Sequence, residues 1–364
     1  MQYYSQTEAF IKVRGGLPNT SYRITHDHAC TVAFMGGSVT EGMGSSAIRG
    51  GWRTRLLNHL EETYPTATFE QITANMGGNG SQYGVYFAHQ FMAVKHPDVL
   101  FIEYAVNNAY DGCGDSETLW MHYETLIHTI RTESPYTDIV LVYVSDSRHR
   151  SKDIIPVLEQ IADKYDLPSL NYYEAVMCAM GDASNWSNYF IDGVHANDNG
   201  YDVMAKVAKG LLEYTMRVPS TTYEKAVTPP AQARLQSEAN ALIASSLDPV
   251  PSGWEKVEKF SYAGRHYNGC IQTTATDKPI TVTFKGTDFG VLVEFAKDAG
   301  VLEYSIDGST PEVLDCVLGY SNPKARMLFK NGTESEHTIT VRMSSGDRMA
   351  IAAFLLNGTV LSVE

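Results

Sequence analysis

Residues 32–44 read VAFMGGSVTEGMG. An apolar run stops at Gly36 and Gly37, Ser38 follows, and small or polar residues take over. A short apolar run closed by glycines reads as a buried strand leaving a sheet. Ser38 therefore stands where a strand hands over to a loop. Alone, it is as readily a turn serine as a nucleophile. Its role depends on whether other segments supply a base, a carboxylate to orient that base, and donors for an oxyanion.

Outward from this stretch, residues 31–216 alternate between two patterns. Buried strands are expected at TVAFM (31–35), TFEQITA (68–74), DVLFIEYAV (98–106) and DIVLVYVSD (138–146). Between them lie segments with helical spacing: 52–64, 81–96, 116–133 and 153–165, with a last one at 199–216. In 52–64, Trp52, Leu56, Leu57 and Leu60 share one face. Strict alternation implies right-handed crossovers and a parallel sheet covered by helices on both sides, an α/β fold of three layers. Reacting groups in such sheets gather beyond the C-terminal strand ends.

The character changes after residue 217. The stretch 218–250 is expected to be a linker carrying a helix over 231–247. From 251 to 364 short β-rich runs alternate with DG, NG and SGD turn signals, which predicts an antiparallel β-sandwich. The expected division is thus 1–217, with an N-terminal extension over 1–30, then the linker, then 251–364.

The chain has 364 residues, 43% of them hydrophobic, enough for two cores. A net charge of −14 without a Lys/Arg block argues against nucleic acid or an anionic membrane as partner. No apolar run approaches the roughly 20 residues of a membrane span, and the N-terminus lacks the pattern of a secretory signal. A cytoplasmic location is expected. Cys30, Cys113, Cys178, Cys270 and Cys316 occur singly, which fits reduced thiols better than a disulfide framework.

Three further stretches fall at strand ends or in loops: ANMGGNGSQYG (74–84), EYAVNNAYDG (103–112) and FIDGVHANDNGY (190–201). Asp192 and His195 are three apart and share a face in a tight turn. A carboxylate beside an imidazole fixes its tautomer and stabilises the imidazolium formed during proton transfer. The other ring nitrogen is then free to activate a serine. Read alone, the pair is more often a loop Asp capping its turn with a surface His. Gly78 could turn an N–H toward a developing oxyanion, and Asn107 could add an amide donor. Separately, GGNG is also a turn and Asn107 also a helix cap. No metal or cofactor is called for: H-E-x-x-H is absent, and His26 and His28 read as surface residues.

Together the four blocks resemble the SGNH (GDSL-like) hydrolase superfamily. Gly37 stands where that family usually has an acidic residue, and Asn108 where it often has Asp. The resemblance implies a flavodoxin-like hydrolase domain with Ser38, Asp192 and His195 as catalytic triad. Ser38 N–H, Gly78 and Asn107 would form the oxyanion hole. Domain order further resembles bacterial carbohydrate esterases with a jelly-roll-like, carbohydrate-binding-like second domain. That implies removal of O-acetyl groups from mannan or xylan oligosaccharides. Tyr110, Trp186 and Tyr189 are candidates to contact the sugar; Trp254, Tyr262, His266, Tyr267 and Tyr320 are candidates in the second domain, where core packing is the plainer role. An acyltransferase, a short-chain lipase or thioesterase on the same triad, or a non-catalytic sugar-binding protein are the alternatives.

Overall fold

The apolar runs of the first half become strands buried on both faces. All five residues of β4 (Val99–Glu103) and all six of β5 (Asp138–Tyr143) are buried, as expected where helices cover both sides of a parallel sheet. The computed structural model describes residues 2–47, 50–258 and 269–364. They divide into two units, Met1–Leu235 and Gln236–Glu364.

In the first unit β1 (Ile11–Lys12), β2 (Ala29–Gly36), β3 (Thr68–Asn75), β4, β5 and β6 (Ser169–Asn171) form a sheet in the order β1-β6-β5-β4-β2-β3. All its pairs are parallel except β1–β6. Leaving out β1, this is the 2-1-3-4-5 order of a flavodoxin-like fold. The order reverses at β2, with β3 on one side and β4 on the other, and such a switch point opens a crevice above the strand ends.

Elements end earlier than their apolar patterns do. β4 stops at Glu103 because Ala105–Tyr110 turns helical, and β5 stops at Tyr143. The helix expected from 153 starts at Ile155, with a proline in its first turn, where no N–H is needed. β1, β6 and the helix Tyr172–Met180 had no counterpart in the sequence reading; β1 and β6 are too short to show a period.

The helix expected over 231–247 does not form. Ala239–Ile243 is a strand, β7, and only Ala244–Ser246 makes a helical turn. β7 pairs antiparallel with Ala353–Asn357. Local alanine-rich helix propensity is a few tenths of a kcal/mol per residue and yields to such pairing. The expected linker is therefore split between the two units.

Residues 218–235 are fastened to the first unit. Asn19 Nδ2 donates to the Glu224 carbonyl at 2.8 Å, and its Oδ1 accepts from the Glu224 N–H at 2.9 Å. Glu124, fully buried, accepts from Gln232 N–H at 2.9 Å, Ala233 N–H at 2.7 Å, Lys164 Nζ at 2.6 Å and Tyr165 OH at 2.9 Å.

The second unit contains β7, β8 (Glu255–Val257), β9 (Cys270–Thr273), β10 (Ile280–Phe295), β11 (Val301–Ile306), β12 (Glu312–Asp315), β13 (Asn322–Phe329), β14 (Ser335–Ser345) and β15 (Met349–Val363). Its ladders are antiparallel throughout. β10 and β15 run long and carry register breaks near Gly286 and Leu292. Bulges of this kind bend a strand so that it serves more than one partner. β10 accordingly pairs with β14 along its first half and β13 along its second.

Replacing Glu124 with Ala should destabilise the chain by about 3 kcal/mol, as for removing one partner of a buried charge pair. It should also make 225–235 a preferred site of limited proteolysis. Unchanged cleavage kinetics would mean that the connector is held by other contacts.

Candidate active site

Parallel register brings three strand ends level. Gly36 of β2 lies opposite Asn75 of β3 and Glu103 of β4. Ser38, Gly78 and Asn107 follow two to four residues beyond these ends, above the switch point. Ser38 opens a single helical turn, Ser38–Glu41, with Gly37 before it.

That turn is tied to the sheet through Glu103. Thr40 Oγ1 donates to Glu103 Oε2 at 2.9 Å, and the carboxylate is fully buried. Burial pushes the Glu103 carboxyl up to about 7, against the lowering by the Thr40 hydroxyl and the Gly37 and Thr40 N–H groups. Sequence reasoning missed this residue. Its signal is one charged side chain inside the otherwise apolar run LFIEYAV.

Ser38 Oγ lies 2.8 Å from His195 Nε2 although the residues are 157 positions apart. His195 Nδ1 lies 2.6 Å from Asp192 Oδ2. The other oxygen, Asp192 Oδ1, accepts from the Val194 and His195 N–H groups, each at 2.8 Å. Partial burial pushes the Asp192 carboxyl up, but the bonds from His195 and the two N–H groups outweigh it, and it sits below the usual carboxylate range. It therefore stays ionised and holds a proton on Nδ1, which leaves Nε2 as acceptor for the serine proton. Tautomers here follow from the hydrogen-bond network.

The second and third blocks are stitched to each other. Asn107 Nδ2 donates to the Asn79 carbonyl at 2.8 Å, Asn108 Oδ1 accepts from Ser81 N–H at 2.7 Å, and Asp111 Oδ2 accepts from Gly80 N–H at 2.8 Å. Asn107 lies within the helix Ala105–Tyr110 and does not cap it. With one amide hydrogen on Asn79, its second remains for a ligand. Gly78 has φ +70°, a left-handed conformation that favours glycine. The N–H groups of Ser38 and Gly78 have no protein acceptor among the described residues. At Gly37 an added Cβ would run into Asn107 Nδ2, so the small residue there lets the Asn107 amide lie against the serine turn.

The three candidate sugar-contacting aromatics differ. Trp186 stacks on Phe190, with centroids 3.9 Å apart, and donates to the Asp192 carbonyl at 2.6 Å. Tyr189 donates to the Ala179 carbonyl and packs on the core. Both are half-buried props of the Asp192–His195 loop. Tyr110 is 54% exposed. In the second unit Trp254 belongs to the core and Tyr320 is exposed; Tyr262, His266 and Tyr267 lie outside the described residues. All five cysteines are free, and His26 and His28 are exposed. Among the described residues no group of three or more His, Cys, Asp or Glu gathers as a metal site. No helix there is long and apolar enough to cross a membrane.

A second Ser–His–Asp set occurs in the other unit. His337 Nδ1 lies 2.7 Å from Asp307 Oδ2, and Nε2 lies 3.1 Å from Ser335 Oγ. Here Nε2 also faces the Thr333 carbonyl at 3.0 Å. A carbonyl only accepts, so Nε2 must carry a hydrogen and cannot take one from serine. Burial pulls the His337 imidazole down, but its bonds to Asp307 and the Thr333 carbonyl outweigh this and raise it above its ordinary value. The cluster is a hydrogen-bonded clamp on the turn before β14, with His337 joined to Asp307 and to the Thr333 carbonyl.

Residues 34–203 match the GDSL-like Lipase/Acylhydrolase family. The match lies within the first unit, which carries a GDSL-like hydrolase domain, and the chain is a carboxylic ester hydrolase. Two solved structures of a two-domain esterase active on acetylated mannans are similar at full length. One, co-crystallised with mannopentaose, is 21% identical with a TM-score of 0.79, and the other 20% with 0.81; each alignment covers 99% of both chains. They share its two-domain fold. An acetylxylan esterase from Geobacillus stearothermophilus aligns over 50% of this chain and 94% of its own, at 16% identity and a TM-score of 0.42. A search of curated proteins returns no match.

Gly37→Ala should push the Asn107 amide away and lower kcat on p-nitrophenyl acetate by about 10²-fold, the scale of losing one oxyanion donor, with little change in KM. Full activity would mean that the turn relaxes around the methyl group. His337 supports a separate expectation. Its folded pKa exceeds the roughly 6.5 of an unfolded histidine, so its contribution is complete below that pH and fades as pH rises through the folded value. Unfolding free energy measured against pH should lose that slope in His337→Gln.

Proposed function

We propose that the chain is a serine esterase that removes O-acetyl groups from plant-derived oligosaccharides of the mannan or xylan type. The observation that carries this reading is the 2.8 Å approach of Ser38 Oγ to an imidazole whose other nitrogen is held by Asp192. His195 Nε2 takes the serine proton while Oγ bonds to the acyl carbon. The Ser38 and Gly78 N–H groups and the free Asn107 amide hydrogen receive the oxyanion. His195 then returns the proton to the sugar oxygen as the carbon–oxygen bond breaks. A water activated by the same nitrogen releases acetate and restores Ser38.

The sugar alcohol is supported by the full-length likeness to esterases active on acetylated mannans. Five free thiols go with work in a reducing cytoplasm on imported oligosaccharides.

Mass spectrometry of acetylated mannan and xylan oligosaccharides should show stepwise loss of acetyl with the wild type and none with Ser38→Ala. Spectra unchanged by both would remove the sugar assignment. Transfer of the acetyl group to an added acceptor sugar, without free acetate, would make the chain an acyltransferase. Asp192→Asn should lower kcat by about 10³–10⁴-fold at an unchanged melting temperature; near-normal turnover would mean that another group orients His195.

A further inference from the structure

Tyr110 combines three properties that Trp186 and Tyr189, the other candidate sugar contacts, do not share. It is 54% exposed. It lies three residues beyond Asn107 on the helix Ala105–Tyr110, so the two share a face. And it is locked. Its hydroxyl donates to Asp146 Oδ2 at 2.7 Å, and Asp146 is 2% exposed at the exit of β5. The Arg150 guanidinium carbon lies 4.6 Å from the ring centroid, within cation–π range. Asp146 Oδ1 also accepts the backbone N–H of Arg150 at 2.9 Å, and Asp146 Oδ2 lies 3.5 Å from Arg150 Nε.

The loop that holds the ring also holds the histidine segment. Ser147, next to Asp146, donates its N–H to the Gly193 carbonyl at 2.8 Å, and Gly193 lies between Asp192 and His195. Tyr110 is thus linked on one side to the amide donor and on the other to the imidazole loop. Burial and Asp146 raise the Tyr110 hydroxyl above its ordinary value, so the ring stays a neutral phenol. A flat, neutral ring whose rotamer is already paid for by a buried carboxylate orders little further on binding, which is how a rigid subsite gains affinity.

We propose that Tyr110, held between Asp146 and Arg150, is the platform on which the sugar ring of the leaving alcohol stacks, and that it sets the preference of this site for carbohydrate esters over simple alkyl esters. The proposal rests on the deacetylase reading given above and adds the element that recognises the sugar. Arg150 covers part of the aromatic ring; the exposed part meets the C–H face of a pyranose.

The test compares kcat/KM on acetylated mannotriose with that on methyl acetate, which has no ring to stack, in wild type, Tyr110→Ala and Tyr110→Phe. The ratio of the two constants should fall at least tenfold in Tyr110→Ala, mainly through KM on the saccharide. It should fall no more than about threefold in Tyr110→Phe, which keeps the ring and loses only the hydroxyl anchor. An unchanged ratio in Tyr110→Ala, with both esters equally affected or neither, overturns the platform and leaves deacetylation standing. Equal damage from both variants also overturns it, because the Asp146 bond and not the ring would then matter. A wild type that cleaves methyl acetate but no acetylated saccharide removes the deacetylase reading itself, and the platform with it.

Discussion

Three parallel strands that finish at the same height control the arrangement of the first unit. With Gly36, Asn75 and Glu103 opposite one another, the loops that follow must rise from neighbouring points above the crevice where strand order reverses. A one-residue slip of β4 would turn Glu103 to the other face and move Asn107 away from the Ser38 turn. Register is set by apolar burial along β2, β4 and β5, so the same hydrophobic contacts that hold the sheet also place its polar edge. Glu103 marks where these meet: a buried carboxylate on the last residue of β4 that binds Thr40 in the turn from β2.

Above this edge the polar groups constrain each other in pairs. Asn107 and Asn108 each secure a different residue of the loop after β3, Asn79 and Ser81. Asn108 replaces the aspartate common in related domains, and its side-chain oxygen still accepts both the N–H and the hydroxyl of Ser81. An amide oxygen is sufficient for this capping; no negative charge is required. Gly37 has a complementary role. The absent Cβ is the space that Asn107 occupies. The two departures from the family pattern therefore fall at positions where geometry, and not charge, is in demand.

Much of this was legible in the sequence, and the limits have physical causes. Long apolar runs such as VAFM and LVYV announce buried strands because their burial is near-continuous, and glycine punctuation announces the loops. The four polar blocks could be named because each follows such a run. The strand ends were less legible: the apolar pattern continues past Glu103 and Tyr143 into residues that pack from a helix or loop instead. β7 was misread as helix because its partner, β15, lies more than a hundred residues away, and alanine content says nothing about that pairing. Asp146 and Glu103 went unnoticed because a lone carboxylate at a strand end acquires meaning only once its partners are known. The Ser335–His337–Asp307 cluster carried no sequence signal of its kind, and only the Thr333 carbonyl separates it from a proton-accepting arrangement.

The grip of Glu124 on Gln232 and Ala233 affects how the chain can be dissected. A fragment ending at Arg217, where composition alone would place the cut, would leave that carboxylate facing the void of a missing strap and Asn19 without its two backbone partners. The first unit keeps these bonds only when it extends through Ala233, so a tail that looks, residue by residue, like disposable tether belongs to its polar framework.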